Sequence, residues 1–214
     1  MAWEPGITAF VGCMYSGKTG KIGRRIGQLV RMGEMCGDSK PIKFSLVKPG
    51  LDTRDEDPTI VTDHQGNVIN GTRAIIIPTN RPSEMMAVGE IKQSQVVLVD
   101  EGQFFRPTLA QVLLRFVIEG KCVFFSGLDT DHLGRPFPTT ARIMLLPETK
   151  IVRCTEANCV DCGHPATHSL RLINGLPAPR MSPRFIVQGK GASYIPVCRT
   201  HFISRYQAIG IRIL

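Results

Sequence analysis

Gly12-Cys13-Met14-Tyr15-Ser16-Gly17-Lys18-Thr19 has the residue types and spacing of a phosphate-binding loop, and it follows the apolar run Thr8-Ala9-Phe10-Val11. Gly12 and Gly17 allow a tight turn in which the backbone N–H groups of the intervening residues, Met14, Tyr15 and Ser16 among them, point inward at phosphate oxygens. Lys18 can then reach the β and γ phosphates, and the Thr19 hydroxyl can ligate Mg²⁺. This is the chemistry of a nucleoside triphosphate donor, and it predicts an ATP-dependent phosphotransferase.

A strand-like run, Val96-Val97-Leu98-Val99, ends in Asp100-Glu101 and supplies an acidic partner for the loop. Asp100 would hold Mg²⁺ through its waters. Glu101 points elsewhere and could take a proton from the attacking nucleophile. On these residues alone that nucleophile is either water or an acceptor hydroxyl, so an ATPase and a kinase fit equally.

Cys159-Val160-Asp161-Cys162 and Cys198-Arg199-Thr200-His201 are two ligand pairs, each with two residues between its donors. That spacing lets one tight turn present both donors to a tetrahedral ion, and Gly163 suits the knuckle after the first pair. Three thiolates and one imidazole close the coordination, which makes structural zinc the expected ion. Cys154 has no two-residue partner, and Cys13, Cys36 and Cys122 read as packing residues; His164 and His168 read as surface or packing histidines. The Gly-rich stretch Gly189 to Pro196, which carries Tyr194, precedes the second pair, so zinc would anchor one end of a loop able to close over a substrate.

The elements that must position these groups alternate. β-rich runs recur at residues 7–11, 44–47, 74–77, 96–99 and 123–125. Between them, residues 18–35 put Ile22, Ile26, Leu29 and Val30 on one helical stripe, and residues 107–119 do so with Leu109, Val112, Leu113 and Phe116. Pro107 suits a first helical turn and Gly120 a helix exit. The alternation predicts an α/β fold, a mostly parallel sheet with helices on both faces. Helical periodicity stops near residue 150, which divides the chain into an ATP-binding domain, 1–150, and a small zinc-binding domain, 151–214. Residues 52–71 read as a long loop or a hairpin turning at Gln65-Gly66-Asn67.

The 214 residues, 43% hydrophobic, describe an ordinary globular protein. No apolar stretch has signal-peptide or membrane-spanning length, which predicts a cytoplasmic protein without a membrane partner. Seven cysteines without a secretion signal fit thiols and metal ligands better than disulfides. Most of the net charge of +8 lies in residues 151–214, which hold eight Arg or Lys against Glu156 and Asp161. No run of adjacent basic residues exceeds Arg24-Arg25, so nucleic acid is not an expected partner.

Together these segments resemble the thymidine kinases of the small, zinc-containing, tetrameric kind, along nearly the whole chain. The resemblance rests on the phosphate loop with Met14-Tyr15 inside it, Lys48-Pro49 followed by Asp52-Thr53-Arg54, and Asp100-Glu101-Gly102-Gln103-Phe104-Phe105. Gly127-Leu128-Asp129, Pro136-Phe137, both zinc pairs and the stretch from Tyr194 to His201 extend it. It implies a P-loop fold of the RecA-like kind and transfer of the γ-phosphoryl group of ATP to the 5′-hydroxyl of thymidine. Glu101 matches the general base, and Lys18, Thr19, Asp100 and Asp52 match the phosphate and magnesium machinery, with Arg54 neutralising phosphate charge. Met14, Asp52, Phe104, Leu128, His132, Ser169 and Tyr194 match substrate-binding positions. It further implies Mg²⁺ with ATP, a homotetramer and nucleotide salvage, and it admits deoxyuridine as a second acceptor and dTTP as a feedback ligand.

The chain departs from the family pattern at His132, where an aromatic is usual, and at Ser169, where a Thr commonly precedes the basic residue, here Arg171. A lost methyl contact is worth about 1–3 kcal/mol, so both changes would broaden base selectivity. The rival reading is a nucleic-acid-stimulated ATPase using the zinc module as a binding surface; it would need aromatic side chains interleaved with basic ones, a pattern absent here.

Overall fold

The structure is a computed structural model that describes residues 4–35, 42–50, 57, 59–60, 72–184 and 192–212. Six parallel strands form the main sheet: β1 (Gly6–Gly12), β2 (Phe44–Pro49), β3 (Ile75–Ile77), β4 (Val96–Val99), β5 (Cys122–Leu128) and β6 (Thr149–Arg153). Their spatial order is β3-β2-β4-β5-β1-β6, and every neighbouring pair runs parallel.

The strands alternate between two apolar layers because a strand presents successive side chains to opposite faces. Ile7, Ala9 and Val11 of β1, Val97 and Val99 of β4, and Val123 and Phe125 of β5 enter one layer with α3 (Leu109–Ile118) and α4 (Pro138–Met144). The intervening Phe10, Val96, Leu98 and Phe124 enter the other with Ile22, Ile26 and Leu29 of α1 (Lys18–Met35). A strand covered on both faces has no polar side to spare, and full burial of one such Val, Leu or Phe contributes about 1.5–3 kcal/mol. A short α2 (Gly89–Gln93) brings Ile91 into the first layer.

The predicted strands and both long helices are present, with local differences. Val30 is 37% exposed, because Ile22, Ile26 and Leu29 already fill the buried face of α1 and Val30 lies a further step around it. Pro107 stands in the turn before α3, which begins at Leu109 behind the N-cap Thr108. Gly120 leaves that helix at φ +82°, a conformation that favours glycine. The hairpin expected at Gln65-Gly66-Asn67 lies outside the described residues.

β6 crosses residue 150 and carries the main sheet as far as Arg153. Beyond it, β7 (His168–Ile173) pairs antiparallel with β8 (Leu176–Pro177) and β9 (Ser193–Val197), and α5 (Arg199–Gln207) follows. Leu133, Leu170, Val197, Phe202 and Tyr206 make the core of this smaller module. Sequence periodicity gave no sign of α5, because only Phe202 and Tyr206 of that helix are buried. Among the described residues no helix is long and apolar enough to cross a membrane.

Candidate active site and metal centre

β1 delivers the phosphate loop to the N-terminus of α1, and the bends are steep. Gly12 and Gly17 have φ values of +154° and +85°. A Cβ on Gly12 would come within 2.7 Å of the Cys154 carbonyl oxygen, so a side chain there is excluded by space as well. Ser16 donates to the Cys13 carbonyl at 2.8 Å, and Lys18 donates to the same oxygen at 2.6 Å. Lys18 is 5% exposed, so a buried cation stands at the start of a helix, where the positive end of the dipole adds to it. Thr19 is buried beside it. Burial pushes the Cys13 thiol up to about 11 despite the nearby Lys18 charge, which leaves it an inert packing group.

The acidic pair lies on the same edge of the sheet, since β1, β4 and β5 are parallel and all end there. In such sheets ligands bind outside the carboxyl ends of the strands. Asp100 is 1% exposed and accepts a hydrogen bond from the Ser126 hydroxyl. Glu101 turns out of the strand at φ 51°, ψ 35°, which breaks the alternation and aims its side chain along a new direction. Gln103 donates to the Glu101 carboxylate at 2.6 Å, while its own oxygen accepts the Leu128 backbone N–H at 3.0 Å. Gln103 and Phe104 help line a cavity of about 380 Å³, together with Thr79, Arg106, Thr139 and Arg184. That volume is within the range of small-molecule sites.

The smaller module approaches the loop directly. The Ser169 hydroxyl accepts the Met14 backbone N–H at 2.9 Å, and Cys13 packs with Ala157, Ala166 and Tyr15. Ser169 and Arg171, two apart on β7, share a face, and Arg171 lies directly across from Tyr194 on β9. Arg171 is fully buried and donates to His132 Nε2 at 2.9 Å. A guanidinium can only donate, so that imidazole nitrogen is the acceptor and the ring is neutral. Burial first, and then the Arg171 charge, push His132 down to about 4. Tyr206 of α5 donates to the His132 carbonyl at 2.8 Å and locks that segment against the module.

Cys159, Cys162, Cys198 and His201 bring their ligand atoms within 4.8 Å of one another. Cys198 Sγ and Cys159 Sγ lie 3.2 and 3.6 Å from His201 Nδ1, and the Cys162 and Cys198 sulfurs are 3.9 Å apart. Bonds of about 2.3 Å to sulfur and about 2.0 Å to nitrogen give tetrahedral edges of this length, so the four donors fit zinc. Arg205 clamps Asp161, inside the first knuckle, through two bonds of 2.9 and 2.5 Å. Cys159, Cys162 and Cys198 form no disulfide, nor do the buried Cys13, Cys122 and Cys154.

A family model described as thymidine kinase matches residues 6–202. Proteins named thymidine kinase are similar along almost their whole length. One from Pyrobaculum aerophilum is 38% identical over 92% of this chain and 98% of its own. One from Thermococcus kodakarensis is 33% identical, covering 92% of this chain and 93% of its own. A third, from Coprothermobacter proteolyticus, is 33% identical over 91% and 89%. The chain belongs to the thymidine kinase family. Among solved structures, the Legionella pneumophila ATPase DotB is a looser likeness, 14% identical with a TM-score of 0.40 over 67% of this chain and 35% of that one.

The structure therefore draws the thymidine kinase motifs of this chain into two groups. Gly12 to Thr19, Asp100 and Glu101 occupy one sheet edge. Leu128 is joined to Glu101 through Gln103, and Ser169 is bonded to Met14, with Tyr194 across the strand pair from Arg171. Asp52, Arg54, Cys36 and residues 189–191 of the Gly-rich stretch lie outside the described residues. His164 is exposed, and His168 stacks on Phe202 with ring centres 4.4 Å apart, as surface and packing residues should.

Sequence reasoning missed Gln103, Ser126 and Glu156. Gln103 and Ser126 are each within or beside a recognised run, but their roles depend on partners more than 20 residues away. Glu156 lies against Gly17 so closely that a Cβ on that glycine would strike its carboxylate, and Lys21 and Arg24 hold it at 3.4 and 3.2 Å.

Proposed function

We propose that this protein transfers the γ-phosphoryl group of ATP to the 5′-hydroxyl of thymidine, giving dTMP and ADP. The observation that carries the reading is Glu101, held by Gln103 on the same sheet edge as the phosphate loop and linked to Leu128. The thymidine kinase names of the relatives support the acceptor. In this reading Glu101 accepts the proton of the 5′-hydroxyl as its oxygen bonds to the γ phosphorus and the bond to the bridging oxygen of ADP breaks. Lys18 and the loop N–H groups neutralise the charge that develops on the phosphates. Mg²⁺ bound with ATP supplies further neutralisation, and Thr19, Asp100 and Asp52 would hold it.

Met14, Phe104, Leu128, His132, Ser169 and Tyr194 would enclose the base, and Arg54 would assist at the phosphates. Zinc on the Cys₃His set would fix the ends of β9 and α5, and with them the covering loop before Tyr194. The same reading divides the chain into an ATP-binding domain to residue 150 and a nucleoside-covering zinc domain after it. It carries with it a cytoplasmic homotetramer, dTTP as an end-product ligand and thymidine salvage. Glu101→Gln tests it: the variant should fold and bind ATP while losing about 10²- to 10⁴-fold in turnover. Near-normal dTMP formation by that variant would remove Glu101 from the reaction.

A further inference from the structure

The geometry points to Gln103 as the positioning residue of Glu101, tying the aim of the base to the backbone of Leu128. The inference rests on the assignment of Glu101 as general base. Gln103 is 1% exposed, and its amide is engaged at both ends, by Glu101 Oε2 at 2.6 Å and by the Leu128 N–H at 3.0 Å. Both partners are one-way: a backbone N–H only donates and an ionised carboxylate only accepts. The amide therefore has a single orientation, because turning it over would set N–H against N–H and oxygen against oxygen. A donor fixed on the carboxylate favours its charged form, which is the form a base needs.

Glu101 requires such a hold. It occupies a left-handed backbone conformation, which costs a residue with a side chain about 1–2 kcal/mol, and it has left the β4 ladder that would otherwise orient it. Its neighbours make room for the clamp. A Cβ on Gly102 would run into the Phe125 ring, and one on Gly127 would come within 2.9 Å of that ring and 3.1 Å of Gln103 Oε1. Neither glycine has a positive φ. Both are needed for space, Gly102 beside the Phe125 ring and Gly127 beside that ring and the Gln103 amide.

A base packed against Leu128 steadies the N–H that fixes Gln103, which in turn fixes Glu101. A poorly fitting base loosens the same chain, so discrimination between nucleosides falls on kcat as well as on KM.

Gln103→Leu removes both bonds. Gln103→Glu keeps the size and an acceptor for Leu128 but replaces the donor with a second carboxyl. Both should be compared with wild type and Glu101→Gln by kcat and KM for thymidine and ATP from about pH 5 to 9, with thermal melts as the folding control. Both Gln103 variants should lose about tenfold or more in kcat, since small misplacements of a catalytic group are costly, with KM for ATP little changed. The acid limb of the kcat profile should move to higher pH in Gln103→Leu and further in Gln103→Glu, where two carboxyls compete for one proton. A merely structural role would lower the melting point without moving that limb. Should Gln103→Leu fail to fold, the isosteric Gln103→Glu gives the reading. Folded variants with the wild-type acid limb, beside an inactive Glu101→Gln, overturn the positioning role and leave the base intact. An active Glu101→Gln overturns the base and the positioning role together.

Discussion

Met14 donates its backbone N–H to the Ser169 hydroxyl at 2.9 Å, so the phosphate loop and the zinc module share a hydrogen bond across 155 positions of chain. Ser169 is 2% exposed, and the bond it accepts is half-buried. Ser169→Ala leaves a half-buried N–H without its acceptor, a loss of about 0.5–1.5 kcal/mol. For a chain of this size the melting temperature should fall by about 2–4 °C per kcal/mol, and KM for the nucleoside should rise. Ser169→Thr keeps the hydroxyl and should restore both. An alanine variant matching wild type in melting temperature and KM would show that the bond contributes nothing.

Metal content is a separate test. The purified protein should carry about one zinc per chain, measured by elemental analysis. Cys159→Ser or a strong chelator should remove it and raise amide exchange in β7, β9 and α5, while the six-stranded sheet keeps its protection. Affinity should fall in acid, because three thiols and an imidazolium must lose their protons to bind the ion. Unchanged exchange in metal-free protein would contradict a structural role.

His132 makes stability pH-dependent with a definite sign. Its folded pKa is depressed to about 4, below the ordinary value of 6.5, so the unfolded chain binds more protons between those values. Stability therefore rises with pH across that window: it is fully present above about pH 6.5 and is lost as pH falls toward about 4. The shift corresponds to at most about 3 kcal/mol. Asp131, held below the usual carboxylate range by Arg184, Arg135 and backbone N–H groups although burial opposes them, acts only at lower pH. His132→Phe should reduce the slope of melting temperature against pH between about 4.5 and 6.5, leaving the part due to His168, which burial also pushes down, even though Arg171 loses its acceptor. An unaltered slope would assign the pH dependence to other groups.

What was legible in the sequence was local. The glycine and lysine positions of the phosphate loop, the spacing of the cysteine pairs and the continuous apolar run of β4 each declare themselves within a few residues. Legible too were the faces of α1 and α3, apart from Val30, which the period alone could not exclude. What was not legible depended on distant partners. Gln103 looks like any polar residue until the end of β5 supplies Leu128. β6 has only half-buried and exposed side chains at the sheet edge, and α5 has too few apolar residues to show a period. His132 reads as a pocket wall by position, whereas its bond to Arg171 is set by how β7 packs on the 128–137 segment.

The most direct test of the account is ADP release from ATP, measured with thymidine, without nucleoside, and with single-stranded nucleic acid in its place. The expected result is ADP formed in step with dTMP, only slow release to water, and no response to nucleic acid. Release that ignores thymidine and rises with single strands would contradict a nucleoside acceptor and restore the reading of a nucleic-acid-stimulated ATPase.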